Sequence, residues 1–213
     1  MDIRSQLDAV IRPYALLTHP FYQAWTTGEL PREKLQRYAR QYYHHVVAFP
    51  TYVSAVHSHC GADLESRSAL LENLIEEERG ERNHAALWLA FARGIGAEPE
   101  ASATAAEAGT LRLIETFREL TAGNVEVGAA ALYAYESQVP AVAAAKIDGL
   151  IRNFGVNDGA TLEFFEVHQE LDRWHSESTA AIVARNVTDP QPALDAAEAA
   201  SRALWGFLDV MNA

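Results

Sequence analysis

The sequence predicts an all-α bundle, and three observations carry that prediction. Apolar residues recur at helical spacing along nearly the whole chain, and no stretch alternates apolar and polar residues as a half-buried strand does. Helix start and stop residues then cut the chain into about seven segments. With 213 residues, 49% of them hydrophobic, and no Pro/Gly/Ser-rich linker, residues 1–213 read as one domain with a core large enough to need no staples.

The segments follow in order. The N-terminal one, MDIRSQLDAVIRPY, has no apolar h-region of a signal peptide. Pro31 with Glu33 opens the second helix, and Asp63 sits before the third. Ser102 or Thr104 starts the fourth, after an Ala-rich stretch near 97–108, and Asn124 starts the fifth. Asn157 or Asp158 begins the sixth and Asp189-Pro190 the last, while Gly94–Gly96 and Gly155 mark helix ends.

Four of these helices carry core-facing stripes. The second gives Leu35, Tyr38, Tyr42, His45, Phe49, Tyr52 and Val56; the third gives Leu70, Leu74, Glu77, Glu81, His84, Trp88 and Phe91. The fifth runs Val125, Ala129, Leu132, Glu136, Val139, Ala143, Lys146, Leu150, and the sixth Phe165, His168, Asp172, His175, Thr179, Ile182. Ionisable residues therefore interrupt apolar stripes near their middles, where burial is expected.

An unpaired buried carboxylate costs several kcal/mol, so a core that takes in several carboxylates and imidazoles needs counter-charge. Lys146 is the one basic residue on these stripes that stays charged across physiological pH. Divalent metal satisfies carboxylate oxygens and neutral imidazoles together. His168, Asp172 and His175 fall within a ~60° arc of a helical wheel, and Glu77 and His84 differ by ~20°. Glu77, His84, Glu136, His168, Asp172 and His175 are thus the candidate ligands, an O/N set suited to two ions of iron, or of iron and manganese. Glu81 with His84 forms an E-x-x-H pair and is a rival or a decoy.

Other classes are excluded on charge and composition. A net charge of −12 repels nucleic acid and anionic membrane surfaces, and no window supplies the ~20 apolar residues of a membrane span. The lone Cys60 fits a reducing cytoplasm, where the protein is expected, and more readily a buried small residue than a nucleophile.

The segments HPFYQAW (19–25), QYYHHVVAFPTYVSAVHSHC (41–60), LLENLIEEERGERNHAALW (70–88), LYAYESQVP (132–140), AKIDGL (145–150) and HQELDRWH (168–175) resemble, in order and spacing, the CADD-like family. That family belongs to the haem-oxygenase-like superfamily, beside TenA and PqqC. The resemblance implies a seven-helix fold with a dinuclear centre on the six residues already selected. It also implies p-aminobenzoate synthesis for folate from the enzyme's own side chains, with molecular oxygen activated at the metals and an electron donor required. On the family's motifs, Tyr22 matches the tyrosine that supplies the ring and Lys146 the lysine suggested as amino donor. Tyr38, Tyr42, Tyr43 and His45 match a cavity-lining segment, in which His44 is expected to be exposed. Tyr133 and Tyr135 flank Glu136 and are candidates to relay electrons or order that ligand. A homodimer is expected from the fold family only.

Without the family, Lys146 reads as a lysine snorkelling to the bundle's end, and Pro140 as a bend within the fifth helix. Two alternatives stay open: a di-metal or PqqC/TenA-like oxidase acting on a diffusible small molecule, and a non-enzymatic helical binding module.

Overall fold

Proline and glycine decide where the helices divide. The structure, a computed structural model, describes residues 2–97 and 103–213. Helix α1 (Ile3–Ile11) starts on Asp2, whose carboxylate accepts from the Ser5 amide, and ends in two 3-10 turns, Arg12–Tyr14 and Leu16–Thr18. Pro20 at the first position of α2 (Pro20–Thr27) and Gly28, at φ 82°, bound the next helix, so the N-terminal segment is two helices. The long α3 (Arg32–His59) follows.

The expected third helix is also two. Helix α4 (Leu64–Glu78) stops short of Gly80, whose φ of 86° belongs to the left-handed region. Asn83 then caps α5 (His84–Gly94) by accepting from the Ala86 amide at 3.0 Å. Glu77 and His84 therefore do not share a helical wheel.

Helix α6 (Ala108–Thr121) begins later than the sequence suggests. Ser102 lies outside the described residues, and Thr104 precedes the helix. Gln41 of α3 explains the delay: its Nε2 donates to the Ala105 carbonyl and its Oε1 accepts from the Glu107 amide, holding this stretch off the helix.

The expected fifth helix breaks rather than bends. Helix α7 (Val125–Glu136) and α8 (Val139–Phe154) are separated by Ser137-Gln138, with Pro140 in the first turn of α8 where its missing N–H costs nothing. Gln138 staples this break by donating to the Ala134 carbonyl and accepting from the Leu16 amide at 2.9 Å. The long α9 (Gly159–Asn186), capped by Asp158, and α10 (Pro190–Asn212), capped by Asp189, complete the chain. The seven helices expected thus become α1 to α10 among the described residues. None of them is long and apolar enough to cross a membrane.

Helix α7 runs through the middle, packed against α3, α6, α9 and α10. Its residues from Gly128 to Glu136 are all buried. Small side chains make this possible: a Cβ on Gly128 would lie 2.6 Å from Val56 Cγ2, so only glycine lets α3 approach there. The carboxyl end of α7, and with it Glu136, is thereby held in the core.

Candidate metal centre

Four elements deliver the six ionisable residues to one region. Glu77 comes from the last turn of α4, His84 from the first of α5, Glu136 from the end of α7, and His168, Asp172 and His175 from one face of α9. All are buried, Glu77 the most exposed at 7%. They sort into two trios, Glu77–His84–His168 and Glu136–Asp172–His175, each with one donor atom per residue lying within 4.8 Å of the others. The spacing on α9 produces this division, since one turn separates His168 from Asp172 and points them at successive trios.

In the first trio, His84 Nδ1 lies 2.8 Å from Glu77 Oε2, yet the pair lacks hydrogen-bond alignment and Nδ1 is a buried atom without a partner. His168 donates from Nδ1 to the Phe164 carbonyl at 2.6 Å, which leaves Nε2 unprotonated in the neutral ring. Burial, helped by the neighbouring His84, holds the His168 imidazole well below its ordinary pKa, so the ring is neutral at pH 7. The centroids of the two rings stand 4.2 Å apart.

The second trio is the more acidic. Glu136 accepts from Asn73 Nδ2 at 2.9 Å and lies 3.1 Å from the Thr179 hydroxyl, but burial still pushes its carboxyl up to about 8. Burial likewise raises Asp172 to about 6. Burial opposes the His175 imidazolium, yet the hydrogen bond to Asp172 and the charges of Glu136 and Glu76 carry it up to about 9.

These residues fit metal. Asp172 Oδ2 and His84 Nδ1 are buried with no hydrogen-bond partner among the described residues, and divalent cations answer both orphaned lone pairs and the carboxylate excess. Three carboxylates and three imidazoles suit iron or manganese rather than a thiolate-bound structural zinc. Cys60 belongs to neither trio; it donates to the Val56 carbonyl.

Glu81 is exposed in the turn between α4 and α5, so the E-x-x-H pair lies on no common helix. Glu76 was not anticipated: its Oε2 lies 2.7 Å from His175 Nε2. Asn73 was likewise missed. Asn73 lies on the buried face of α4 between Leu70 and Glu77, whereas Glu76 lies off it, and only the E-E-E run at 76–78 hinted that this turn mattered.

A second cluster adjoins the first trio. Lys146 Nζ donates to the Tyr38 hydroxyl at 2.8 Å, and the Tyr38 and Tyr22 hydroxyls share a hydrogen bond at 3.1 Å. The amine lies 5.3 Å from the Tyr22 ring centroid. Lys146 does not snorkel to solvent: it is 5% exposed, because the α7–α8 break turns α8 so that this side chain enters the core. Burial lowers its pKa to about 7, so much of the amine is neutral and nucleophilic near neutrality. Tyr42 donates to the Tyr135 hydroxyl at 3.0 Å. A cavity of about 20 Å³ lies between Tyr22, Tyr42, Tyr135, Lys146 and His168.

His45 packs on Tyr42 and Tyr135 with both ring nitrogens buried and unpartnered, and burial holds it neutral, at about 3. His44 is half-buried rather than exposed, its Nε2 2.8 Å from the Thr104 carbonyl. Tyr133 points away from its neighbour's cluster and donates to Asp8 Oδ1 at 2.6 Å, tying α1 to α7.

The sequence profile of a family described as iron-containing redox enzymes matches residues 36–207. The chain belongs to that family. It is similar to the 4-aminobenzoate synthase of Nitrosomonas europaea, 45% identical over 97% of this chain and 89% of the relative. The 4-aminobenzoate synthase of Chlamydia muridarum is 42% identical over 98% of this chain and 89% of its own. Among solved structures, a TenA homologue from Pseudomonas syringae pv. tomato superposes at a TM-score of 0.85, covering 99% of this chain and 92% of that one at 16% identity. A CADD-like protein from Nostoc punctiforme superposes at 0.78, covering 98% and 95% at 18% identity. The structural likenesses establish the haem-oxygenase-like, TenA-type fold for this member of the family.

Proposed function

We propose that this protein makes 4-aminobenzoate from its own Tyr22 with molecular oxygen at a two-metal centre, Fe/Fe or Fe/Mn. The Tyr22 Cα–Cβ bond breaks and Cβ is oxidised to the carboxylate, while the Lys146 nitrogen leaves Cε and replaces the phenol oxygen, which departs as water. The observation that carries the reading is the placement of Lys146 and Tyr22 in a cavity that also touches His168. That cavity, about 20 Å³, falls far short of the roughly 150 Å³ that takes up a single benzene. A ring supplied by the chain itself needs no such room, and the space around Tyr22 therefore disfavours a diffusible aromatic substrate.

Metals held by Glu77, His84 and His168 and by Glu136, Asp172 and His175 would supply oxygen-reducing chemistry beside the aromatic cluster. The chain's residues do the rest. Glu77, Glu136 and Asp172 would neutralise the ions' charge, and His84, His168 and His175 would hold them through ring nitrogens, His175 giving up a proton to do so. Burial keeps the Tyr22 phenol protonated, so oxidation of the ring must also move that proton, and the Tyr38 hydroxyl is the acceptor at hand. Tyr38 also receives the Lys146 N–H, which holds the amine against the rings in its neutral form. The aromatic walls exclude water from an oxidation that water would divert. Further electrons must come from an external donor.

The test is a count. Metal-free protein labelled with ring-¹³C tyrosine is loaded anaerobically with ferrous iron, then given oxygen and a reductant. At most one labelled 4-aminobenzoate per chain is expected, and Tyr22→Phe should keep its metals while making none. Many products per chain would rule out self-consumption in favour of a diffusible substrate. No product and no bound iron would sink the whole reading.

A further inference from the structure

We infer that Glu76, which neither trio contains, is a positioning residue for the second metal: it fixes the His175 ring by accepting the proton of its outer nitrogen. The inference rests on the reading of Glu136, Asp172 and His175 as a metal-binding trio.

The two nitrogens of His175 face different ways. Nδ1 lies 3.3 Å from Asp172 Oδ1, inside the trio, and Nε2 lies 2.7 Å from Glu76 Oε2 on the opposite side of the ring. A ring that offers Nδ1 to a cation must carry its remaining proton on Nε2, and a buried N–H there needs an acceptor. Glu76 is that acceptor. Its own side chain is 34% exposed whereas that of His175 is 2% exposed, so the carboxylate stays solvated while it orients a buried imidazole.

A charged acceptor on the far nitrogen has two effects on a metal-bound imidazole. It locks the tautomer and the ring rotation, and it makes the metal-facing nitrogen a stronger donor. The helix explains why this residue and no other does so. Glu76 and Glu77 are neighbours at the end of α4, about 100° apart. Glu77 turns into the first trio, and Glu76 reaches across to the histidine of the second. One turn of α4 thus serves both metal positions, through a direct donor in one case and through a hydrogen bond in the other.

The experiment is an anaerobic equilibrium titration of metal-free protein with ferrous iron, repeated with cobalt(II) to read coordination from its visible absorption. Wild type should bind two ions. Glu76→Ala should bind one ion unchanged and the other about 10–100-fold more weakly. Glu76→Gln, whose amide oxygen still accepts from Nε2–H, should bind within a few-fold of wild type, and circular dichroism checks that each metal-free variant is folded. Glu76→Met removes the acceptor at similar length if the alanine variant does not fold. Two ions held as tightly by Glu76→Ala or Glu76→Met as by wild type would overturn this inference alone. A glutamine variant as weak as the alanine one would also overturn it, since it would make Glu76 a direct donor or a simple source of charge. Wild type that binds no ion would overturn the metal reading and this inference together.

Discussion

Lys146 shows how one side chain carries both a cost and a function. Its pKa falls to about 7 because the core takes the amine out of water. A lysine with a folded-state pKa below its unfolded one leaves the unfolded chain holding more protons between about 7 and the ordinary 10.5, so stability rises with pH across that window. Below about 7 both states are protonated and the cost of burying the charge is complete. Lys146→Met removes this cost while Tyr38 keeps Tyr22 as a hydrogen-bond partner. The variant should therefore melt above wild type at pH 6, by on the order of a few kcal/mol, with the gap shrinking steadily towards pH 10. Thermal melts of both proteins at a series of pH values check it; a constant gap would mean that the amine is not buried in its charged form. The six candidate ligands were legible in the sequence because an ionisable group on an apolar stripe has no cheap explanation. Glu76 was not, since it lies off the stripe and its partner is on another helix. Glu81, left open as a rival ligand or a decoy, occupies a stripe position on a helix that ends before reaching it.

At the scale of elements, the breaks place the chemistry. An unbroken helix from Leu64 to Gly94 would carry Glu77 and His84 10 Å apart along one axis, at ~1.5 Å per residue; the turn at Gly80 instead folds them onto each other. The sequence displayed this turn only as R-G-E-R-N, and helical periodicity ran across it undisturbed. Pro140 signalled a disturbance in the next case, but whether proline bends a helix or starts one depends on Gln138 and its bond to Leu16, a contact invisible to local pattern. Gly149, inside α8, is a close-contact point with α2 beside the aromatic cluster. A Cβ there would meet Trp25 Cδ1 at 2.5 Å and the Trp25 carbonyl oxygen at 3.1 Å, so at this point of contact α8 reaches α2 through a glycine. Gly149→Ala should push α2 from α8, at about 1–3 kcal/mol or roughly 2–12 °C in Tm. It should also separate Tyr22 from Lys146. Iron stoichiometry should hold at the wild-type value, because the six candidate ligands sit on α4, α5, α7 and α9. Calorimetry, iron content and product yield measured on one preparation test this, and a variant that loses iron as readily as product would show that the two clusters are not separable.

For the whole molecule, self-consumption and stability are the same question. Tyr22 is 4% exposed and packs edge-on to Phe21 and against Trp25 and Tyr38, so its ring is part of the core that joins α2 to the bundle. A chain that has given up this ring, and with it the Lys146 nitrogen, loses a buried aromatic, a change that costs about 3–5 kcal/mol when made by mutation. In a chain of this size each kcal/mol moves Tm by roughly 2–4 °C, so spent protein should melt about 6–20 °C below its unreacted form. Metal raises both transitions by mass action, about 2.7 kcal/mol per ion held at a hundredfold excess over Kd, and so must be removed before the two are compared. Calorimetry of protein reacted with oxygen and then stripped of iron should show two transitions, whose areas track the product released per chain. Tyr22→Phe taken through the same cycle should show one. If wild type shows only the unreacted transition while 4-aminobenzoate accumulates, the ring came from elsewhere and the small cavity opens in solution to admit it.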